Sequence, residues 1–405
     1  MRFLGWIDHD PQQQQSVLSG LTVKGQDARD ELGLGTVRDT LSDLLFPGTS
    51  TIQQRVRYFL FVQWCCELAA RRSGADRILE ELRRLETELI KTLTPLGEGE
   101  GVIGLLSQDE LERMPSEIYW NGLLAVGMRR VSGNRGRWAR EVASQRTASA
   151  SDPWAERADR SSEHGFDVGR PGPPAEFPRT KGLDFRLSCD EAEYLRHRLE
   201  SASADPDGHG RAYSLFPAFL SYRRPTEACA AWEHPRANRL SEPARGLLAF
   251  AAAFSRVMLG ATHLYNARVA ELALAKKGSS EVRDRHVALL RDWRGDMDIA
   301  DVELVLARLD EIPPLGLLVR HRIRPETVAF VRNWAVQCHS PGDLLKRRAA
   351  VELVERREVF LKGAAGTSRI LSEKARARWG GESGGALDYR WRVVRRCLND
   401  LAKPG

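Results

Sequence analysis

The chain is expected to be mainly α: a multi-helical protein with an N-terminal helical domain, a larger helical C-terminal domain and at most minor β structure. Apolar residues recur at helical spacing, as in Ile78, Leu82, Leu85, Leu89 and Leu93, where positions three and four apart share one face. No convincing run of alternating, β-type strand residues interrupts that pattern. An apolar content of 42% beside 29% charged residues is ordinary for a globular protein, and 405 residues exceed what one core usually organises.

At the start, Phe3 to Ile7 reads as a brief strand or an anchored extended segment. Asp10-Pro11 is an N-cap followed by proline at the first helical position, leading a glutamine-rich helix to about Ser19. Thr36 is placed to cap a helix that carries Val37, Leu41, Leu44 and Leu45 and is stopped by Pro47-Gly48. The hydroxyls of Thr49, Ser50 and Thr51 then suit a restart, with two overlapping capping boxes, Ser50 with Gln53 and Thr51 with Gln54. From Tyr58 the new helix turns apolar almost all round, which fits burial on several sides. It runs to about Arg72, and the Ile78 to Leu93 helix follows before Pro95.

Gly97 to Gly104 contains G-x-G-x-x-G, but a dinucleotide fingerprint must follow a strand and open a helix. Here a helix and a proline precede it, so a turn is expected. A helical pair follows, its second member spanning Ser116 to Leu123. Between residues 132 and 182 the composition shifts to Ser, Arg, Gly, Pro and Asp, and apolar residues are too sparse to offset chain entropy. This gives an N-terminal domain over 1–131, a mobile basic linker over 132–182 and a C-terminal domain over 183–405. Helices are expected there from Cys189 to Ser201, Ser241 to Lys277, Ser280 to Trp293, Ile299 to Ile312, Glu326 to Cys338, Asp343 to Lys362, Leu371 to Trp379 and Leu387 to Leu401.

Charge is localised. Residues 343–396 hold fourteen Lys or Arg against seven Asp or Glu, a net +7, whereas the whole chain carries +6 and the remainder is therefore −1. Such an excess suits phosphate backbones or an acidic protein surface. Six cysteines without C-x-x-C spacing fit a reduced, cytoplasmic setting, and neither a signal peptide nor a membrane span is expected.

Two nucleic-acid readings follow. In the first, a helix-turn-helix breaks at Pro47-Gly48 and its second helix opens with Ser50, Thr51, Gln53, Gln54, Arg55 and Arg57, side chains able to read base edges. The bland counterpart is a capped structural helix whose arginines pair with acids such as Asp39 or Asp43. The second reading is a basic surface of Lys346, Arg347, Arg348, Arg356, Arg357, Lys362, Arg369, Arg376, Arg378, Arg390, Arg392, Arg395 and Arg396, interleaved with Trp379, Tyr389 and Trp391, a pattern used for phosphate contact and base stacking. Internal ion pairs account for part of that charge.

A third feature, Arg332-Asn333 followed by His339, resembles the arginine-polar-histidine motif of the HEPN helical ribonucleases, in which the histidine would act as a base toward a 2′-hydroxyl. Arg256 and His263 repeat the spacing, which argues for coincidence. No P-loop, H-E-x-x-H or G-x-S-x-G elbow occurs, and Asp8-His9-Asp10 cannot converge on one ion in regular structure, so neither a cofactor nor a metal is expected.

The stretches Leu4 to Asp8, Glu31 to Thr36, Leu45 to Gln53, Pro115 to Gly122, Leu361 to Gly363 and Leu387 to Trp391 together resemble an uncharacterised bacterial family of unknown function found in phage-defence gene neighbourhoods beside helicases and phospholipase D-like nucleases. The resemblance spans nearly the whole chain and transfers no catalytic residue. It implies a cytoplasmic component of an antiphage defence system whose partners are DNA or RNA, or a helicase or nuclease subunit. The expected function is thus non-enzymatic binding through the basic C-terminal surface. The alternatives are a HEPN-like ribonuclease using Arg332 and His339, or a purely structural scaffold.

Overall fold

A computed structural model of the chain describes residues 30–97, 100–104, 113–151, 164–167, 169–205, 207–274 and 280–404. Among these residues the backbone is helices and turns, and the β content is an isolated antiparallel bridge between Arg129 and Phe166. The mainly α, multi-helical class is therefore observed. The segments Leu4 to Asp8 and Asp10 to Ser19 lie outside the described residues.

Two compact units form, and neither is continuous in sequence. The first combines the described residues up to Val37 with Ala253–Glu311 and Ile323–Leu387. The second takes Arg38–Ala252, Ile312–Arg322 and Asp388–Gly405. The expected boundaries at 131 and 182 do not divide these units, because long-range packing rather than local composition decides which segments share a core.

In the second unit the central element is helix Tyr58–Ala69, with ten of its twelve residues buried. It packs against Ala75–Leu93 and Pro115–Ala125. The leucine stripe of Ala75–Leu93 faces inward as its spacing dictates, with Ile78, Leu82, Leu85, Leu89 and Leu93 all buried. Each such side chain contributes roughly 1.5–3 kcal/mol of burial. Glu86, on the same face, is buried too and accepts hydrogen bonds from the backbone N–H of Ser116 at 2.5 Å and its hydroxyl at 3.0 Å. It caps the start of Pro115–Ala125, and burial pushes its carboxyl up to about 7.

The expected linker is partly a helix, Arg135–Ser151, which packs on Ala75–Leu93. Trp138, Ala139 and Val142 are buried in it, and the Trp138 indole donates to the His164 carbonyl at 2.9 Å beside Trp120 and Phe166. Low average hydrophobicity conceals three apolar residues at helical spacing. Further along, the Pro171 carbonyl accepts from the Trp64 indole at 3.0 Å. Helix Cys189–Glu200 meets Phe216–Leu220 and Trp391–Leu401 in the same unit.

In the first unit helix Pro325–His339 packs on Ile299–Arg308 and Arg348–Lys362. The indoles of Trp293 and Trp334 donate to the successive carbonyls of Arg256 and Val257 at 2.7 and 2.9 Å. Gly260 makes room for this contact, since a Cβ there would stand 2.2 Å from the Trp293 ring.

Helix Glu242–Leu274 is long and apolar enough to cross a membrane by length and composition, although 72% of its most apolar window is buried inside the protein. No span is expected at the level of unbroken apolar runs, because charged and polar residues such as Arg256 and His263 interrupt this helix. The six cysteines are free thiols, with Cys65, Cys66, Cys338 and Cys397 buried.

Candidate nucleic-acid interface

The Ser50 to Arg57 segment is not a recognition helix. Regular helix starts only at Tyr58, and the residues before it form turns. The Gln53 side chain is buried and folds back to donate to the Gly48 carbonyl at 3.0 Å. The Gln54 amide donates to the Tyr119 hydroxyl at 2.9 Å, and that hydroxyl donates in turn to the Arg55 carbonyl at 2.8 Å. Arg55 is held by Asp400 at 2.9 Å and Glu100 at 3.0 Å, with its guanidinium over Phe185. Arg57 is held by Glu191 at 2.8 Å and the Asp184 carbonyl at 2.9 Å. Among the described residues Ser50 Oγ is buried without a hydrogen-bond partner, and Thr51 is exposed. Local capping potential loses to burial of Gln53 and to long-range acceptors for both arginines. The two guanidinia are ion-paired, as a purely structural segment would have them, but to Asp400, Glu100 and Glu191 rather than to the nearby Asp39 or Asp43.

The same fate meets most of the basic C-terminal residues, which moreover divide between the two units. In the first unit, Arg357 is buried and donates to the Leu32 carbonyl at 2.8 Å, the Gly33 carbonyl at 3.2 Å and the Thr327 hydroxyl at 2.8 Å. Lys362 and Arg369 both pair with buried Glu31, and Arg369 also reaches Ser383 at 3.0 Å. Arg347 donates to the carbonyls of Gln337, Ser340 and Pro341, closing the end of helix Pro325–His339. Arg376 does likewise to the Arg369 and Ile370 carbonyls at 2.6 and 2.9 Å. In the second unit, Arg390 clamps Asp43 at 2.6 Å and the Thr49 carbonyl at 2.7 Å, Arg395 reaches the Ala228 carbonyl at 3.2 Å and Arg396 bonds Gln54 at 2.7 Å. Arg378 and Arg392 are exposed. One continuous cationic face made of all these residues is not what the fold presents.

What remains open is narrower. The side chains of Lys346, Arg348 and Arg356 are 86%, 91% and 79% exposed, with Glu352 between the two arginines and Asp343 3.9 Å from the lysine. Arg348, Glu352 and Arg356 are spaced four apart along helix Arg348–Lys362 and therefore share a face. Arg294, which lies outside the basic stretch of the sequence, donates to the Cys338 and Ser340 carbonyls at 2.6 and 2.7 Å. Among the described residues Arg294 and Arg347 make no ion pair and donate to main-chain oxygens instead. No local pattern links Arg294 to residues 338–340, and only tertiary packing reveals it.

For the ribonuclease alternative, Arg332 is tied to Asp310 at 2.6 Å. His339 sits at the exposed end of the same helix, about 10 Å farther along its axis at 1.5 Å per residue. Arg256 is likewise paired with Asp301 at 2.6 Å, and burial lowers the pKa of His263. Among the described residues no group of three His, Cys, Asp or Glu side chains is placed to hold a metal ion.

The segments that carry the resemblance acquire structural roles. In the second unit Gly122 must be a glycine because a Cβ would lie 2.5 Å from the Gly48 carbonyl oxygen, so the Leu45–Gln53 turn rests directly on helix Pro115–Ala125. The ring of Trp391 lies 6.1 Å from that of Phe46. In the first unit Lys362 and Arg357 fasten the turn at residues 31–33, and Asp30 accepts from the Leu34 and Gly35 amides at 2.6 and 2.7 Å at the start of helix Gly35–Leu45. The class these features define is a mainly α-helical protein held by long-range arginine and lysine clamps. The chain belongs to a family of unknown function, DUF6361, whose model matches residues 1–405. No curated protein and no solved structure matches it.

Proposed function

We propose that this protein is a non-enzymatic component of a bacterial antiphage defence system that contacts a nucleic-acid backbone through Lys346, Arg348 and Arg356. The observation supporting this reading is the exposure of those three cations, whose pairs with Asp343 and Glu352 lie at the surface, beside Arg294 and Arg347, which among the described residues make no ion pair. Extended cations of this kind suit phosphate contact, which depends on charge and reach and not on base identity. The defence setting, beside a helicase or nuclease, rests on the resemblance of the segments named above.

Three phosphate contacts give a salt slope of about −2.7 for duplex DNA, which is roughly a 40-fold loss of affinity between 50 and 200 mM salt. Fluorescence anisotropy with labelled duplex DNA, single-stranded DNA and single-stranded RNA measures that slope. The triple variant Lys346→Gln/Arg348→Gln/Arg356→Gln is expected to lose most of the binding and flatten the slope. Wild-type binding that ignores ionic strength, or a triple variant that binds as the parent does, removes the proposal.

A further inference from the structure

The second unit holds a groove of about 470 Å³ between the end of helix Tyr58–Ala69, the first half of helix Ala75–Leu93 and the turn at residues 176–179. Four arginines line it, Arg71, Arg72, Arg84 and Arg179, against two acids, Glu81 and Glu176. The single carboxylate of Glu81 serves two guanidinia, Arg72 at 3.3 Å and Arg84 at 2.7 Å, and the Arg84 hydrogen bond holds its carboxyl below the usual range. Arg179 is engaged by Glu88 at 2.8 Å. Arg71 is exposed and makes no ion pair among the described residues.

These cations also stand where a helix ends, and the carbonyls there are partly taken: Arg146 donates to those of Ala70 and Arg72. The rest of the lining is apolar, from Leu68, Leu85, Phe177 and Pro178. Phe177 is fixed by an edge contact with Trp64 at 5.2 Å and 79°. A groove of this volume, with one apolar wall and guanidinia along its rim, matches in size and chemistry a ligand that has both a flat ring and a phosphate.

We propose that this groove binds a phosphorylated nucleotide, its base against Phe177 and its phosphate on Arg71 and Arg72. The ligand is either a free mononucleotide or the 5′-terminal nucleotide of a strand, which share this chemistry. The site involves none of the residues of the proposed backbone contact.

Isothermal titration calorimetry of the full chain tests it with adenosine 5′-monophosphate, adenosine, inorganic phosphate, and a short oligodeoxyadenylate with and without a 5′-phosphate. The monophosphate is expected to bind at least tenfold more tightly than adenosine or phosphate alone. Arg71→Gln, which breaks no ion pair, is expected to weaken it about tenfold, the value of one lost charge-assisted hydrogen bond. Phe177→Leu is expected to weaken the nucleotide without changing phosphate. Preference for the 5′-phosphorylated strand over the free nucleotide supports a strand end, and the reverse supports a free nucleotide. No binding of the monophosphate, binding no tighter than that of phosphate, or an Arg71→Gln variant with unchanged affinity overturns it. The Lys346/Arg348/Arg356 variant is expected to bind the monophosphate normally, so failure of the backbone contact and failure of this groove are distinguishable.

Discussion

Replacing Glu31 with alanine separates clamp from contact surface. Its carboxylate is 3% exposed and is shared by Arg369, itself 7% exposed, and Lys362 at 21%. Without it Arg369 keeps the Ser383 hydroxyl at 3.0 Å and the Tyr265 hydroxyl at 3.4 Å, neither of which carries charge. Removing one partner of a buried pair leaves the other desolvated and uncompensated, at a cost of about 3–5 kcal/mol. At about 2 °C per kcal/mol for a chain of this size, the melting temperature of the unit should fall by roughly 6–10 °C. Differential scanning calorimetry measures this, with Glu31→Ala/Arg369→Met as the second arm. The double variant no longer buries an unpaired guanidinium, so it should be more stable than the Glu31→Ala single variant. The fully exposed Arg348→Gln variant is expected to leave the melting temperature essentially unchanged, as surface pairs do. A fall of less than about 2 °C for Glu31→Ala, or a double variant less stable than the single, would refute the assignment of Lys362 and Arg369 as internal clamps.

Gly260→Ala is expected to cost about 1–3 kcal/mol, because the new Cβ meets a Trp293 ring that its own hydrogen bond to Arg256 holds in place. A thermal melt checks it, and Gly260→Ala/Trp293→Phe should recover part of the loss. For Glu86, the folded carboxyl at about 7 lies above the ordinary 4.5. Its stabilising contribution is therefore complete below the ordinary value and is lost as pH rises through the folded one, by up to roughly 3 kcal/mol. Comparing urea midpoints of the parent and Glu86→Gln from about pH 4.5 to 8 isolates the effect. The difference between the two should grow in the variant's favour with rising pH, and a constant difference would show that Glu86 does not titrate in that window.

How much of this is legible in the chain depends on the range of the interaction involved. Periodicity fixes which face of a helix is buried, so the Ile78 to Leu93 stripe and the apolar run from Tyr58 can be read directly, as can the stop at Pro47-Gly48, whereas the start of the following helix at Tyr58 rather than at Ser50 cannot. Composition averaged over fifty residues cannot reveal that Trp138, Ala139 and Val142 anchor a helix in a stretch rich in polar residues. Unit limits escape sequence reading for a related reason, since residues 38–252 share a unit with the chain's last helix. The charge of residues 343–396 is plain in the sequence, but its use is not. A guanidinium looks the same whether it faces solvent or a carboxylate three hundred residues away, as Arg369 does with Glu31 and Arg390 does with Asp43. Local order follows from nearest neighbours along the chain, and only tertiary packing decides which charges are spent inside the protein and which are left at its surface.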